Sequence, residues 1–202
     1  IDSASNEDAI EETEDELATQ VRGSYFYKQT QVTAKYMRKL MGGKIFDNPK
    51  DHEEIARLVD YATAGDPQSI VVDFFAGSGT TGHALWTLNA KDNGNRRFLL
   101  VQLPEQLDPQ VKAQQASALF CNRLGRPRNI AELTKERLRR SANQIKADNP
   151  SYLGDLGFRV FKLDTTNILE WDPDRDKIAE TLEASIEHLK TDRTEQDILF
   201  EL

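Results

Sequence analysis

The chain has 202 residues, a formal net charge of −8 and a single cysteine, Cys121. That length is enough to bury a core of ordinary domain size, and one cysteine excludes both an internal disulfide framework and a cysteine-based metal cluster. The charge is unevenly placed, because residues 1–20 hold eight acids and no base while the rest balances at 26 against 26, so the acidity does not argue against a nucleic-acid partner.

Residues 1–23 form an acidic leader that repels itself and is expected to fray or to stand as an isolated helix. No apolar run is long enough to span a membrane and no signal-peptide pattern opens the chain, so a soluble, cytoplasmic protein is expected. Ser24 to Lys28 reads as a strand and Gln31 to Met41 as an amphipathic helix stopped by Gly42-Gly43. Next, Asn48 is placed to cap a helix that opens at Pro49 and carries Ile55, Leu58, Val59 and Ala62 at helical spacing.

The most informative stretch is Val71 to Ala84, VVDFFAGSGTTGHA. The β-branched run Ile70-Val71-Val72 reads as a buried strand, Asp73 ends it, and Gly77, Gly79 and Gly82 meet the G-x-G-x-x-G spacing. Thr80 or Thr81 is expected to cap the helix that carries Ala84, Leu85 and Leu88. Glycines there permit positive φ and a close approach of ligand to backbone, and a helix N-terminus offers free N–H donors. A phosphate loop would need a lysine after its last glycine, but His83 stands there. A dinucleotide site would start its glycines at the strand end and place an acid about 20 residues on. Here four residues intervene, and the second strand, Arg97 to Leu103, ends at Gln102, with Glu105 three residues on as a substitute. A carboxylate at the strand end instead suits a ligand carrying an ammonium and a sulfonium, such as S-adenosylmethionine.

Further on, Asp108 to Arg123 and Asn129 to Lys146 read as helices, the second opened by an Asn129-x-x-Glu132 capping box. Gly157 to Leu163 reads as a strand, Asp174 to about Leu189 as a helix, and Glu195 to Leu202 as an apolar end. Strands alternating with helices indicate an α/β, doubly wound, mostly parallel sheet flanked by helices. From Arg123 to Lys146 there are eight bases (Arg123, Arg126, Arg128, Lys135, Arg137, Arg139, Arg140 and Lys146) against Glu132 and Glu136, a candidate for contacts with DNA phosphates. The three histidines, His52, His83 and His188, fall on separate expected helices without ligand spacing, and no metal site is expected.

The run Asp73-Phe74-Phe75-Ala76-Gly77-Ser78-Gly79-Thr80-Thr81-Gly82 resembles the S-adenosylmethionine motif of DNA amino-methyltransferases acting on adenine N6 or cytosine N4. Asn95 to Glu105, Ile130 to Arg137, and Gly157 to Asp164 with Trp171-Asp172 narrow the resemblance to the modification (Mod) subunit of type III restriction-modification systems, adenine-N6 enzymes. It implies a partial Rossmann-like methyltransferase fold, with a cofactor-binding half over 24–164 and a C-terminal helical segment, cut short, over 165–202. The cofactor implied is S-adenosylmethionine. Asp73, Phe75, Ala76, Gly77, Ser78, Gly79, Thr80 and Thr81 would hold it, with Gln102 where many relatives use an acid for the ribose. Phe46, Asp47, Asn48 and Lys50 would form the other wall of the methionine pocket. The implied partners are DNA, a restriction (Res) subunit and a second Mod copy.

Such enzymes orient a flipped base with a D-P-P-Y type tetrapeptide. This chain contains no Pro-Pro; Asp47-Asn48-Pro49-Lys50 and Asp148-Asn149-Pro150-Ser151 come nearest. A C-terminal fragment is therefore expected, one that binds cofactor, has no catalytic residue to name and is inactive alone. Two alternatives stay open: a non-catalytic assembly or DNA-binding module of the same complex, and a nicotinamide-dependent oxidoreductase.

Overall fold

Ile70–Asp73 forms strand β1 and Arg97–Leu100 forms β2. They lie parallel, with Ile70 opposite Arg97 and Asp73 opposite Leu100. Parallel neighbours need a crossover, supplied here by helix α3, Thr80–Asp92. Because side chains alternate along a strand, Val71 and Phe98 point into a core with Ala56, Val59, Ala84, Leu85 and Leu88. Ala56 and Val59 come from helix α2, His52–Ala62. Ile70, Val72 and Leu99 lie exposed on the other face of the sheet, and Phe74 and Val101 are exposed just beyond the strand ends. The architecture is mixed α/β with a parallel sheet of two strands among the described residues. The expected second strand stops at Leu100 rather than Leu103.

The computed structural model describes residues 30–171, 176–184, 186 and 188–201; the acidic leader, the expected strand at Ser24 to Lys28, Asp172 and Leu202 lie outside them. The chain divides into two compact units, Ile1–Gly157 and Phe158–Leu202. In the first, a second core joins Met37 and Met41 of α1 (Thr30–Met41), Ala118, Phe120 and Cys121 of α4 (Gln115–Arg123), and Leu133 of α5 (Ile130–Asp148), with Ile45 and Leu107 from loops. Residues 109–114, expected as part of a helix from Asp108, are turns and a bend. Asp108 Oδ1 accepts from the Gln110 amide at 2.8 Å, a local bond that competes with helix formation.

Caps fix the helix starts. Asp51, not Asn48, caps α2, its Oδ1 accepting from the Glu53 and Glu54 amides at 2.9 and 3.2 Å. Its Oδ2 accepts from Thr33 Oγ1 at 2.7 Å, which ties α1 to the start of α2. Asn129 caps α5 as expected, accepting from the Glu132 amide at 3.0 Å. Buried Asn89 clasps the start of β2: its Nδ2 donates to Arg96 O at 2.9 Å and its Oδ1 accepts from Arg96 N at 3.0 Å. The Arg96 side chain, fully buried, reaches Asp92 at 2.8 Å and Gly65 O at 3.2 Å. α2, α3 and β2 are joined through that one arginine.

The second unit holds α6 (Ile178–Ala184), α7 (Glu195–Glu201) and an antiparallel bridge between Ile168 and Leu189. The Glu201 carboxylate accepts from the Asn167 amide at 2.6 Å and from Thr166 Oγ1. Phe161 packs edge-on against Phe200, 5.1 Å between centroids. Residues 157–163 form no strand; they have an alternating pattern but no ladder partner among the described residues, and Val160, Phe161 and Leu163 are exposed. A strand needs a neighbour to bond, and pattern alone does not supply one.

The first unit also stacks two histidines that lie far apart in the sequence. The rings of His52 and His83 are 3.9 Å apart and nearly parallel at 6°, with Tyr36 stacked on His52 at 4.8 Å. Tyr36 Oη lies 3.4 Å from His83 Nε2, and His83 Nδ1 is buried without a partner among the described residues. Burial pushes the His83 imidazole well below the usual histidine range, with the charges of His52 and Arg137 acting in the same direction. The fold therefore prefers neutral His83.

Two consequences are measurable. Asn89→Ala leaves both backbone groups of Arg96 unbonded in a buried setting and should cost about 2 kcal/mol in urea denaturation. As pH falls through about 6.5, the unfolded chain takes up a proton that folded His83 refuses, so stability present above that pH is lost below it. Between about pH 7.5 and about pH 5.5 this loss should be on the order of 1 kcal/mol. His83→Gln should lose correspondingly less stability over the same interval.

Candidate functional site

The loop between β1 and α3 is built from local chemistry. Asp73 Oδ1 accepts from the Phe75 amide at 3.0 Å, turning the chain sharply as it leaves the strand, and Oδ2 accepts from Thr81 Oγ1 at 2.6 Å. The expectation that Thr80 or Thr81 caps α3 is thus corrected. Gly79 occupies the cap position at φ +76°, with no side-chain cap, and Thr81 is held by Asp73. The loop is fastened to the end of β2 by Ala76 N to Val101 O at 3.1 Å and Val101 N to Asp73 O at 2.8 Å.

Gln102 adds a brace: its Oε1 accepts from the Gly77 amide at 2.7 Å, while its Nε2 donates to Leu103 O at 2.9 Å. An amide oxygen retains a second lone pair and the amide nitrogen a second hydrogen, so Gln102 keeps bonding capacity toward a ligand. An acid at this position would offer no donor for Leu103 O.

The three glycines do different work. A Cβ on Gly82 would meet Leu138 Cδ2 at 2.9 Å, Leu100 Cδ1 at 3.2 Å and Phe98 Cζ at 3.3 Å. A Cβ on Gly79 would meet Thr134 Cγ2 at 3.0 Å. Both absences of side chain are filled by the protein, chiefly by helix α5, and a larger residue at 79 would strike α5 rather than a ligand. Gly77 differs: its φ is +51°, and a Cβ there would find only Phe75 O, at 3.7 Å. Next to it Phe75 is 91% exposed and Phe74 68% exposed. The loop therefore has a packed side, Gly79 and Gly82, and an open side, Phe75 to Gly77.

Behind the packed side stands α5. Thr134 Oγ1 donates to Gly77 O at 2.5 Å. One turn on, Arg137 Nη1 donates to Ser78 Oγ at 2.5 Å and Thr80 Oγ1 at 2.7 Å. Arg137 is 0% exposed, and burial lowers its pKa to about 10, opposed by the charges of Tyr36 and Asp51. The reading of Arg137 as a phosphate contact is thereby overturned. Several other bases of that stretch are occupied: Lys135 by Glu132 at 2.5 Å, Arg139 and Arg140 by Glu136 at 3.7 and 2.7 Å, and Arg140 also by the Leu40 carbonyl and the Phe120 ring. Arg123, Arg126, Arg128 and Lys146 are exposed.

Phe46, Asp47, Asn48 and Lys50 lie in the segment between α1 and α2. Phe46 is half-buried against the α1/α4 core, Asp47 pairs with Lys44 at 2.8 Å, and Asn48 and Lys50 are exposed. Four residues after Asn48, His52 stacks on His83 in the first turn of α3. The segment thus leads into α2, whose first residue packs against the helix that the glycine loop opens. The roles of Thr134, Arg137 and the paired histidines were missed in the sequence. The available signal was a polar Thr134-x-x-Arg137 pair beside the apolar stripe of Leu133, Leu138 and Ile145.

No family model matches the chain. It is 35% identical over 131 residues to the type III restriction-modification enzyme StyLTI Mod subunit of Salmonella typhimurium, covering 65% of this chain and 18% of that protein. To the EcoPI Mod subunit of Escherichia phage P1 it is 35% identical over 150 residues, 72% of this chain and 21% of that one. To the type II methyltransferase M.KpnI of Klebsiella pneumoniae it is 38% identical over 79 residues, 39% of this chain and 18% of the relative. Spanning about a fifth of their length, the chain is a homologue of the Mod subunits of type III restriction-modification enzymes.

Proposed function

We propose that residues 73–81 seat S-adenosylmethionine for a site-specific DNA methyltransferase, and that the whole protein of which these residues form part modifies adenine N6 in a type III restriction-modification system. The observation that carries this reading is the open side of the glycine loop. Gly77 leaves space where a side chain would stand, beside an exposed phenylalanine and the Asp73 carboxylate, at the start of a 13-residue helix. Helix N–H groups and open backbone suit the polar parts of a nucleoside, and an exposed ring suits its base. Asp73 spends one lone pair of each oxygen within the loop, leaving others for an ammonium. The chain's homology to Mod subunits and to M.KpnI, a methyltransferase by name, supports the same reading.

The bare sheet face also fits. Parallel sheets are covered on both faces, and a two-stranded one is too small to stand alone. With Ile70, Val72 and Leu99 exposed, the geometry suits part of a Rossmann-like methyltransferase sandwich whose other layer lies outside these residues. The absent D-P-P-Y tetrapeptide belongs to the same account: this chain provides a seat for the methyl donor but no clamp for the acceptor amine. DNA, a Res subunit and a second Mod copy are the proposed partners of the whole protein, which would act in the cytoplasm. Among the described residues no helix is long and apolar enough to cross a membrane.

Calorimetry with S-adenosylmethionine, and with NADH as the competing dinucleotide, tests the seat. Gly77→Ala clashes with no protein atom and strains the left-handed backbone at φ +51° by only about 1 kcal/mol, so it should keep its fold and, by intruding on the open side, bind S-adenosylmethionine about tenfold more weakly. Equal affinity in parent and variant, or preference for NADH, would sink the assignment. For the chemistry, the chain incubated with labelled S-adenosylmethionine and mixed-sequence DNA should transfer no label, because acceptor positioning supplies roughly 7 to 11 kcal/mol of such barriers. Label in adenine above a Gly77→Val control would show a catalytic site within these 202 residues.

A further inference from the structure

From the contacts of helix α5 we infer that Arg137 and Thr134 are positioning residues that hold the glycine loop in its ligand-ready shape, an inference that rests on the cofactor seat proposed above. Three observations carry it. First, Arg137 and Thr134 sit one turn apart on the same face of α5 and bond consecutive parts of the loop: Thr134 takes Gly77 O at 2.5 Å, and Arg137 takes Ser78 Oγ at 2.5 Å and Thr80 Oγ1 at 2.7 Å, with Ser78 O at 3.4 Å. Second, the loop needs holding, since Gly77 and Gly79 both stand at positive φ, and glycine samples either sign freely. Third, Arg137 is a costly residue for mere packing. It is fully buried, and its Nε and Nη2 have no partner among the described residues. An apolar residue of similar volume would fill the same space without desolvating a charge.

Attachment of α5 to α3 does not need the guanidinium, because Leu138 and Thr134 already fill the spaces left by Gly79 and Gly82. What only Arg137 provides is a charged donor nitrogen, Nη1, that bonds both hydroxyls flanking Gly79, themselves 3.2 Å apart. Such charge-assisted bonds fix Ser78 and Thr80 relative to α5, so the loop's open edge does not have to be ordered when ligand arrives. Arg137 and Thr134 lie on the packed side and are not catalytic residues.

The test uses the 202-residue chain with Arg137→Met, Arg137→Lys and the near-isosteric Thr134→Val, reading thermal unfolding, amide hydrogen exchange and S-adenosylmethionine affinity together. Arg137→Met and Thr134→Val should remain folded, exchange about tenfold faster at residues 77–81 alone, and bind about tenfold more weakly. Arg137→Lys, which keeps the charge on a shorter side chain without the fixed direction of Nη1, should fall between parent and Arg137→Met. Unchanged loop exchange in folded Arg137→Met and Thr134→Val would overturn the inference, as would faster exchange spread evenly through α1 to α5. If the parent chain binds no S-adenosylmethionine, the proposed cofactor is wrong, while a rise in exchange confined to the loop would still establish the positioning role.

Discussion

The first unit depends on a close approach between α5 and the start of α3. That approach exists because Gly79 and Gly82 present no side chain, letting Leu138 and Thr134 reach the α3 backbone. Dispersion contacts at this distance are individually weak and collectively decisive, and a single extra methyl group would hold the helices apart. Once they meet, the polar atoms of the glycine loop are brought beneath Arg137 and Thr134, and the Tyr36, His52 and His83 stack closes beside them. The loop is thus a rigid joint between helices on one side and a bare rim on the other.

Polar burial at this joint runs against stability taken alone. Arg96, Arg137 and His83 all carry nitrogen atoms that are buried without a partner among the described residues, and each such atom gives up hydration with no return. Their settings differ. Arg96 sits against carboxylates, with Asp92 at 2.8 Å and Asp60 at 3.9 Å, the usual remedy for a buried cation. Arg137 is given hydroxyls and a carbonyl instead, groups that orient a guanidinium without neutralising it. A protein selected for stability alone would have no reason to favour the second arrangement, and its presence directly under the glycine loop is what separates the two arginines in meaning.

Much of the fold was legible because its determinants are local. A β-branched run ended by aspartate and followed by spaced glycines specifies strand, turn and helix within 14 residues, and α1, α5 and the Asn129 cap were readable from periodicity and capping chemistry. The illegible parts are those decided by partners distant in sequence. Whether residues 157–163 form a strand depends on a neighbouring strand rather than on their own alternation. Whether Arg137 meets solvent depends on which face of α5 turns inward, and its partners Ser78 and Thr80 lie 59 and 57 residues away. Counting bases along 123–146 could not separate the buried cation from the exposed ones, since composition carries no information about facing.

The same distinction reshapes how the glycine motif is read. In sequence, Gly77, Gly79 and Gly82 appear as equivalent members of one ligand-binding signature, yet two of them are required by packing and only Gly77 borders open space. Conformational freedom and ligand access are separate demands that happen to select the same residue. A substitution at Gly79 or Gly82 would abolish binding by disrupting α5, and loss of binding there would say nothing about where the ligand sits. Gly77, whose missing side chain is not replaced by protein atoms, is the position at which loss of affinity with retained fold and unchanged loop exchange reports on the ligand itself.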